Sequence, residues 1–338
     1  MRFKDVWIAG TGGALGELVP IGDAIRDGSY SPEEAESTGT VSVSQADQAP
    51  PELAVTAGRQ AIKQAAELGT DVGPGSQHLH SHGHFQGLEM WPADCWIARE
   101  LIGETPTRMP LTVSAASNGS TACLEVAASM LDAQPALPSA LITIGDRFAP
   151  PVDRWHLSPG MVFGDGAAAA VVTRGTGRLR LVSLVSEADT VLEGLSRGDE
   201  PFHTTPHLEP DTRRRTREFL AHGGLSLRDV RRRSAARTVS VAERALAEAG
   251  TSLDRIDWFV APFVGRALYR DSFVRPFGSV PEQTLLELGL TIGHLGPADQ
   301  IYALHHLVKE NLLQPGDRVL TIGTGMGFTF SAAVFQAK

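Results

Sequence analysis

The sequence predicts an α/β protein assembled from two similar halves. Short apolar runs alternate with helical apolar patterns along the chain, which is the mark of layered α/β folds. The same order of elements also recurs at a nearly constant offset. Gly145, closing the run LITIG, and Gly323, closing VLTIG, lie 178 positions apart, and Ala61 and Ala245, in two helical patterns, lie 184 apart. Two near-equal offsets at distant places point to an internal duplication. The alternative is that two unrelated α/β segments share apolar letters.

The elements follow in order. Residues 28–51, rich in Ser, Glu and Gly, read as a surface loop. Residues 53–68 (LAVTAGRQAIKQAAEL) repeat apolar positions at helical spacing. A second helix begins after Ser117 and runs through STACLEVAASML. Strands are expected at 140–145 (ALITIG) and at 167–172, after FGDG. The later half repeats this pattern: a helix at 241–249, a helix at 299–312, and strands at 319–323 and 328–335. Between the halves, residues 187–240 are rich in Arg, Pro, His and Gly and read as an insertion or cap. We divide the chain into residues 1–175 and 176–338.

Composition narrows the function. With 338 residues the chain can bury a large core, and its apolar and charged fractions are ordinary for a globular protein. A formal net charge of −9 leaves no domain-wide basic footprint for nucleic acid. Cys95 and Cys123 are the only cysteines, which fits a reducing compartment without a disulfide framework. No apolar run approaches the ~20 residues that span a bilayer, and the first residues lack a leader pattern, so a cytoplasmic protein is expected.

The strongest local signal is the segment MPLTVSAASNGS, residues 109–120. A strand passes through small residues directly into a helix and puts Ser117 at the helix N-terminus. Unpaired backbone N–H groups gather there, and the helix dipole favours negative charge. A nucleophile at such a position is exposed and can use its own N–H to hold an oxyanion. The bland alternative is that Ser117 is a helix N-cap.

The segment VSAASNGSTACLE resembles the nucleophile segment of β-ketoacyl-ACP synthase III, where a Cys follows two alanines. Three further segments are similar to that family in the same order. Phe163-Gly164-Asp165-Gly166-Ala167-Ala168-Ala169 resembles its FGDGAGA turn. Gly293-His294-Leu295-Gly296-Pro297-Ala298-Asp299 stands where the family has GNTSAAS, and Gly325-Met326-Gly327-Phe328-Thr329 resembles its GGGFT loop. The resemblance covers most of the chain and is weakest between 180 and 240. It implies a thiolase-like five-layer αβαβα fold with two duplicated halves, usually a homodimer.

Departures from the family pattern redirect the chemistry. Ser117 replaces the Cys, and a serine hydroxyl is a weak nucleophile without an adjacent base. His294 replaces the Asn that the resemblance places opposite the nucleophile. An imidazole, with an ordinary pKa near ~6.5, can be that base. Asp299, five positions on, can fix its tautomer and stabilise the imidazolium, so that the three form a triad by role. The alternative is an unrelated histidine with Asp299 as a helix N-cap. The family histidine of the PHQAN motif falls on Phe263, which cannot donate a hydrogen bond to an enolate. This favours simple acyl transfer over decarboxylative condensation. The T-G-I-R segment reads Thr38-Gly39-Thr40-Val41, without the Arg associated with coenzyme A, which favours an acyl carrier protein as donor.

The backbone N–H groups of Ser117 and Met326 are the expected oxyanion donors. His203, with His207 as a second choice, is the cap histidine expected to approach the nucleophile; the alternative is a solvated loop histidine. His78, His80, His82 and His84 form an H-x-H-x-H-x-H run that on a strand would share one face. No Cys or carboxylate joins them at ligand spacing, so no metal is expected, and some can line the acyl pocket. The arginine runs at 213–215 and 231–233 are either a carrier-protein dock or solvated helix faces. No cofactor is called for. The pattern resembles that of synthase-III-like acyltransferases of antibiotic pathways, moving small or aromatic acyl groups to an alcohol, amine or thiol. The rivals are a priming ketosynthase and a non-catalytic partner subunit.

Overall fold

A computed structural model describes residues 1–205 and 211–338. Twelve strands are assigned among the described residues: β1 (Arg2–Leu15), β2 (Glu17–Pro20), β3 (Ser42–Gln45), β4 (Gln77–Ser81), β5 (Leu111–Thr112), β6 (Ser139–Asp146), β7 (Gly166–Thr173), β8 (Leu179–Ala188), β9 (Trp258–Val260), β10 (Gln283–Thr284), β11 (Arg318–Gly325) and β12 (Thr329–Ala337). Ten of them form one hydrogen-bonded run in the order β10-β9-β11-β12-β8-β1-β7-β6-β4-β5, while β2 and β3 pair separately.

That order contains the duplication. In the first half β5 and β4 are parallel, β4 and β6 parallel, and β6, β7 and β1 antiparallel in turn. The second half repeats the pattern with β10, β9, β11, β12 and β8. The halves meet where β1 and β8 pair antiparallel.

Helices complete five layers. Pro50–Ala66 covers the outer face of the first half, with Pro50 and Pro51 in its first turn and the Glu52 carboxylate accepting from the Ala49 N–H at 2.8 Å. Its Ala57 lies so close to β1 that a Cβ on Gly12 would stand 1.9 Å from the Ala57 carbonyl oxygen. Two central helices, Gly119–Ala133 and Asp299–Lys309, lie between the two sets of strands. Their Leu124, Leu131, Leu304 and Leu307 join Ile142, Leu184 and Val319 from the strands in one buried cluster. Each such side chain removed from water contributes about 1.5–3 kcal/mol. The helix Leu227–Ala249 covers the outer face of the second half through Val241, Ala242 and Ala245.

Two expectations are corrected. Residues 28–51 are not simply a surface loop. They hold the helix Pro32–Thr38, capped by Ser31 Oγ accepting from the Glu34 N–H at 3.1 Å, and β3, whose Ser44 is fully buried. The same Ser, Glu and Gly that mark a loop here supply caps and close packing. The helix expected at 241–249 is also longer. It begins at Leu227, with Ser226 as cap, and so reaches into the expected insertion at 187–240, where its Val230 packs with Leu192, Leu195 and Phe219. None of the helices is long and apolar enough to cross a membrane, among the described residues.

Candidate active site

Four chain segments converge at the head of the first central helix. β5 runs beside β4, and the chain leaves it with the Val113 N–H donating to the His80 carbonyl at 2.8 Å. Ala116 then adopts φ 46°, a left-handed conformation that costs a non-glycine residue about 1–3 kcal/mol. One 3-10 turn, Ala116–Asn118, follows, and the helix starts at Gly119. Ser117 is the central residue of that turn.

The Ser117 hydroxyl is not a helix cap. Its Oγ lies 2.9 Å from His294 Nε2. His294 Nδ1 lies 2.6 Å from Asp299 Oδ2. A carboxylate only accepts, so Nδ1 carries the proton and Nε2 is left to accept from the serine. Asp299 does not cap its helix either. Its Oδ2 also accepts from the Phe263 N–H and its Oδ1 from the Leu295 N–H, both at 2.8 Å. His294 and Asp299 are almost wholly buried, 3% and 1% exposed, so these contacts lie in a low dielectric.

The FGDG segment holds the histidine. The His294 N–H donates to the Val162 carbonyl at 2.8 Å, and the Gly164 N–H donates to the His294 carbonyl at 2.9 Å. The Phe163 ring meets the imidazole edge-on, with centroids 5.0 Å apart. Asp165 anchors this turn by pairing with buried Arg154 at 3.0 Å and accepting from the Phe148 and Ala46 N–H groups. Phe263, in the place of the family histidine, is 3% exposed and reaches Asp299 only through its backbone.

The glycine loop comes from the second half. Gly325 packs on the Ala116–Asn118 turn: a Cβ there would stand 2.4 Å from the Ala115 carbonyl oxygen. Asn118 ties the turn to β12, with Oδ1 accepting from Ser331 Oγ at 2.6 Å and Nδ2 donating to Thr329 Oγ1 at 3.3 Å. Met326 lies at the tip of this loop with its side chain half exposed.

Other predicted residues lie further out. His203 stands on the wall of a cavity of about 370 Å3 that also reaches Arg197, Arg215, Phe202 and Gly327, and its Nε2 is 3.3 Å from Glu200 Oε1. His207 lies outside the described residues. A second cavity, about 360 Å3, opens between Thr38, Trp155, Met161, Arg213 and Arg217. The arginine runs are largely engaged in ion pairs: Arg213 with Glu34, Arg214 with Glu218, Arg215 with Glu200, Arg232 with Asp229 and Arg233 with Asp189.

Only His78 and His80 of the histidine run lie on a strand, and both are buried. They share Thr143 Oγ1, at 2.8 and 3.0 Å, and His80 also reaches Gln86 at 3.2 Å. Burial pushes His78 down to about 3 and His80 to about 4, so both are neutral core side chains. No group of three or more His, Cys, Asp and Glu side chains is gathered as a metal site, among the described residues. Cys123 is fully buried, and burial pushes its thiol up.

Sequence reasoning missed Asn118 and Asp146. Asp146, at the end of β6, is fully buried, and burial pushes its carboxyl up to about 7. It carries no motif of its own.

The family described as 3-oxoacyl-[acyl-carrier-protein (ACP)] synthase III matches residues 111–190, and its C-terminal counterpart matches residues 246–337. A beta-ketoacyl-[acyl-carrier-protein] synthase III of Thermosynechococcus vestitus is 29% identical over 206 residues, 59% of this chain and 59% of that protein. The matched segment thus spans under two thirds of that relative. The protein of the same name from Rubrobacter xylanophilus is 26% identical over 285 residues, 84% of this chain and 82% of its own. The solved structure of an acyltransferase, ChlB3, superposes with a TM-score of 0.89 at 32% identity, covering 99% of this chain and 98% of that one.

Proposed function

We propose, for a chain that belongs to the 3-oxoacyl-[acyl-carrier-protein] synthase III family, that it moves an acyl group through an ester on Ser117. The observation that carries this reading is the Ser117–His294–Asp299 relay, with contacts of 2.9 and 2.6 Å. Its relatives are acyl-transferring or condensing enzymes by name, and the exchange of Cys for Ser is matched here by a base within reach.

Ser117 Oγ attacks the carbonyl carbon of a donor thioester while His294 Nε2 takes the hydroxyl proton. Asp299, held by two backbone N–H groups, stabilises the imidazolium that forms. The oxyanion rests on the backbone N–H groups of Ser117 and Met326. The C–S bond breaks, and the departing thiolate takes the proton from His294. An alcohol, amine or carrier thiol then gives its proton to His294 and attacks the ester; the Ser117 Oγ–C bond breaks, Oγ takes the proton back from His294, and the acceptor leaves with the acyl group.

An acyl carrier protein is the proposed donor, its arm entering by the cavity between Thr38, Trp155 and Arg217. Residues 1–175 supply the nucleophile and residues 176–338 the base and its carboxylate. The acyl group is proposed to be small or aromatic, the setting secondary metabolism, and the working form a homodimer. His203 is proposed to meet the acceptor at the cap cavity beside Gly327.

Decarboxylative condensation is disfavoured because Phe263 offers an apolar ring where a donor to an enolate is needed. The test is incubation with acetyl and malonyl thioesters of N-acetylcysteamine followed by intact-protein and peptide mass spectrometry. An acyl adduct on Ser117 supports the proposal. A chain-extended product with loss of carbon dioxide would replace it with condensation, and a protein that never takes up acyl groups would be a non-catalytic subunit.

A further inference from the structure

The structure assigns Asp146 as a positioning residue for His294, a carboxylate that locks two loops together beneath the base and stabilises its imidazolium. This inference rests on the acyl-serine reading.

Asp146 ends β6 and is 0% exposed. Its Oδ2 accepts from the Gly83 N–H at 2.7 Å and its Oδ1 from the His84 N–H at 2.8 Å. Both oxygens are therefore engaged by consecutive amides of the loop that follows β4. On its other side lies the loop of the base. A Cβ on Gly296, two residues after His294, would stand 3.2 Å from Asp146 Oδ2, and a Cβ on Gly83 would stand 3.6 Å from Pro297 Cδ. Pro297 in turn meets the nucleophile helix, since a Cβ on Gly119 would be 2.9 Å from Pro297 Cβ. Asp146 thus bonds the loop after β4 and packs against the base loop at Gly296, whose Pro297 meets the head of the helix that begins at Gly119.

The charges around it give it a second role. His294 on the base loop draws the carboxylate towards its ionised form, and Asp165 opposes this, itself paired with Arg154 at 3.0 Å. His84 offers its amide, and its imidazole stacks on Phe148 instead, with centroids 6.4 Å apart. Arg147 points away and donates to the Ala46 carbonyl. Burial raises Asp146 to about 7, and His294 is the cationic group that acts against that rise. An imidazolium on His294 favours the Asp146 anion, and by reciprocity the anion favours the imidazolium.

The experiment follows the His294 imidazole by NMR in histidine-labelled protein, with H294N to identify its signal, in wild type, D146N and D146S. In the variants the midpoint of that titration falls by about one unit. The plateau rate of Ser117 acylation by acetyl-N-acetylcysteamine falls roughly three- to tenfold with KM unchanged. A midpoint and plateau equal to wild type, with only a lower Tm, would overturn the assignment and leave Asp146 a structural clamp. The imidazole titration reads this outcome whether or not a thioester acylates Ser117, so the two proposals fail separately.

Discussion

Ser117 Oγ and His294 Nε2 are 2.9 Å apart although 177 residues separate them in the chain. The duplication accounts for the meeting. Each residue lies just ahead of one of the two central helices, Gly119–Ala133 and Asp299–Lys309, which occupy equivalent places in the two halves. The first turns of those helices are linked directly, Ser120 Oγ donating to Gln300 Oε1 at 2.8 Å. The positive ends of both helix dipoles therefore face one site, where negative charge on an oxyanion or a carboxylate is favoured.

The contact predicts the outcome of exchanging the pair. H294N, which installs the residue typical of the family, leaves Ser117 without a base. Acylation should slow by about 10²–10⁴-fold, the usual contribution of a general base. S117C/H294N should recover much of that loss, because a thiol at a helix N-terminus ionises without a dedicated partner. Rates of adduct formation by mass spectrometry decide the matter. If H294N acylates at the wild-type rate, the serine is activated in some other way.

Asp299 makes a sharper case, because it does two jobs. Asp299→Asn keeps the shape but offers an NH2 where Oδ1 or Oδ2 now accepts. With the NH2 in the place of Oδ1 the Leu295 N–H loses its acceptor; in the place of Oδ2 the Phe263 N–H loses its acceptor and His294 is driven to the other tautomer, whose Nε2 can no longer accept from Ser117. The expected result is a hundredfold or greater fall in acylation with KM little changed. Stability should fall by about 1–3 kcal/mol for the unsatisfied donor. Paired kinetics and urea unfolding would separate the effects, and a stable variant of full activity would remove Asp299 from the relay.

The contacts among Ser117, His294 and Asp299 were legible because residue type and position departed from the family pattern together: an alcohol in place of a thiol called for a base, and His294 stood there with Asp299 five positions on. Asp146 and Asn118 were not legible. A lone Asp at a strand end and an Asn in a turn are common for local reasons, and only the fold reveals that Asp146 faces the base loop and Asn118 faces Ser331. The helix Leu227–Ala249 was half missed because its first turns carry arginines suited to the exposed side of an outer layer, while the apolar face that defines it is concentrated at Val241, Ala242 and Ala245. Residues 28–51 were misjudged because small polar residues serve equally as loop formers and as caps.

Gly164 tests the seating of the base. A Cβ at this position would stand 2.0 Å from the Ile292 carbonyl oxygen, a backbone atom that cannot turn aside. Gly164→Ala should push the FGDG turn away from residues 292–294 and lengthen the Gly164 N–H to His294 carbonyl bond, now 2.9 Å. The cost of such overpacking is about 1–3 kcal/mol, and displacement of the imidazole should lower acylation more than tenfold. Thermal melts alongside acylation rates test both; unchanged activity would show that the seating tolerates movement.

Buried histidines predict how stability responds to acid. Burial lowers His78 to about 3, and His80 and His305 to about 4, against an ordinary value near 6.5. The unfolded chain therefore binds protons that the folded chain refuses, so their contribution is present above pH 6.5 and is lost as pH falls towards 4 and 3. For fully buried His80 the loss is on the order of 3 kcal/mol. Asp146 acts in the opposite sense. Its folded-state value of about 7 exceeds the ordinary 3.8, so its contribution is complete below 3.8 and declines as pH rises to 7, offsetting one of the three histidines across that window. The net expectation is a falling urea midpoint from pH 6.5 to 4.5. His80→Gln, which can still hydrogen-bond to Thr143, should flatten the slope by about one proton. A midpoint independent of pH in wild type would mean that these imidazoles take up protons in place, and that the core around β4 admits water.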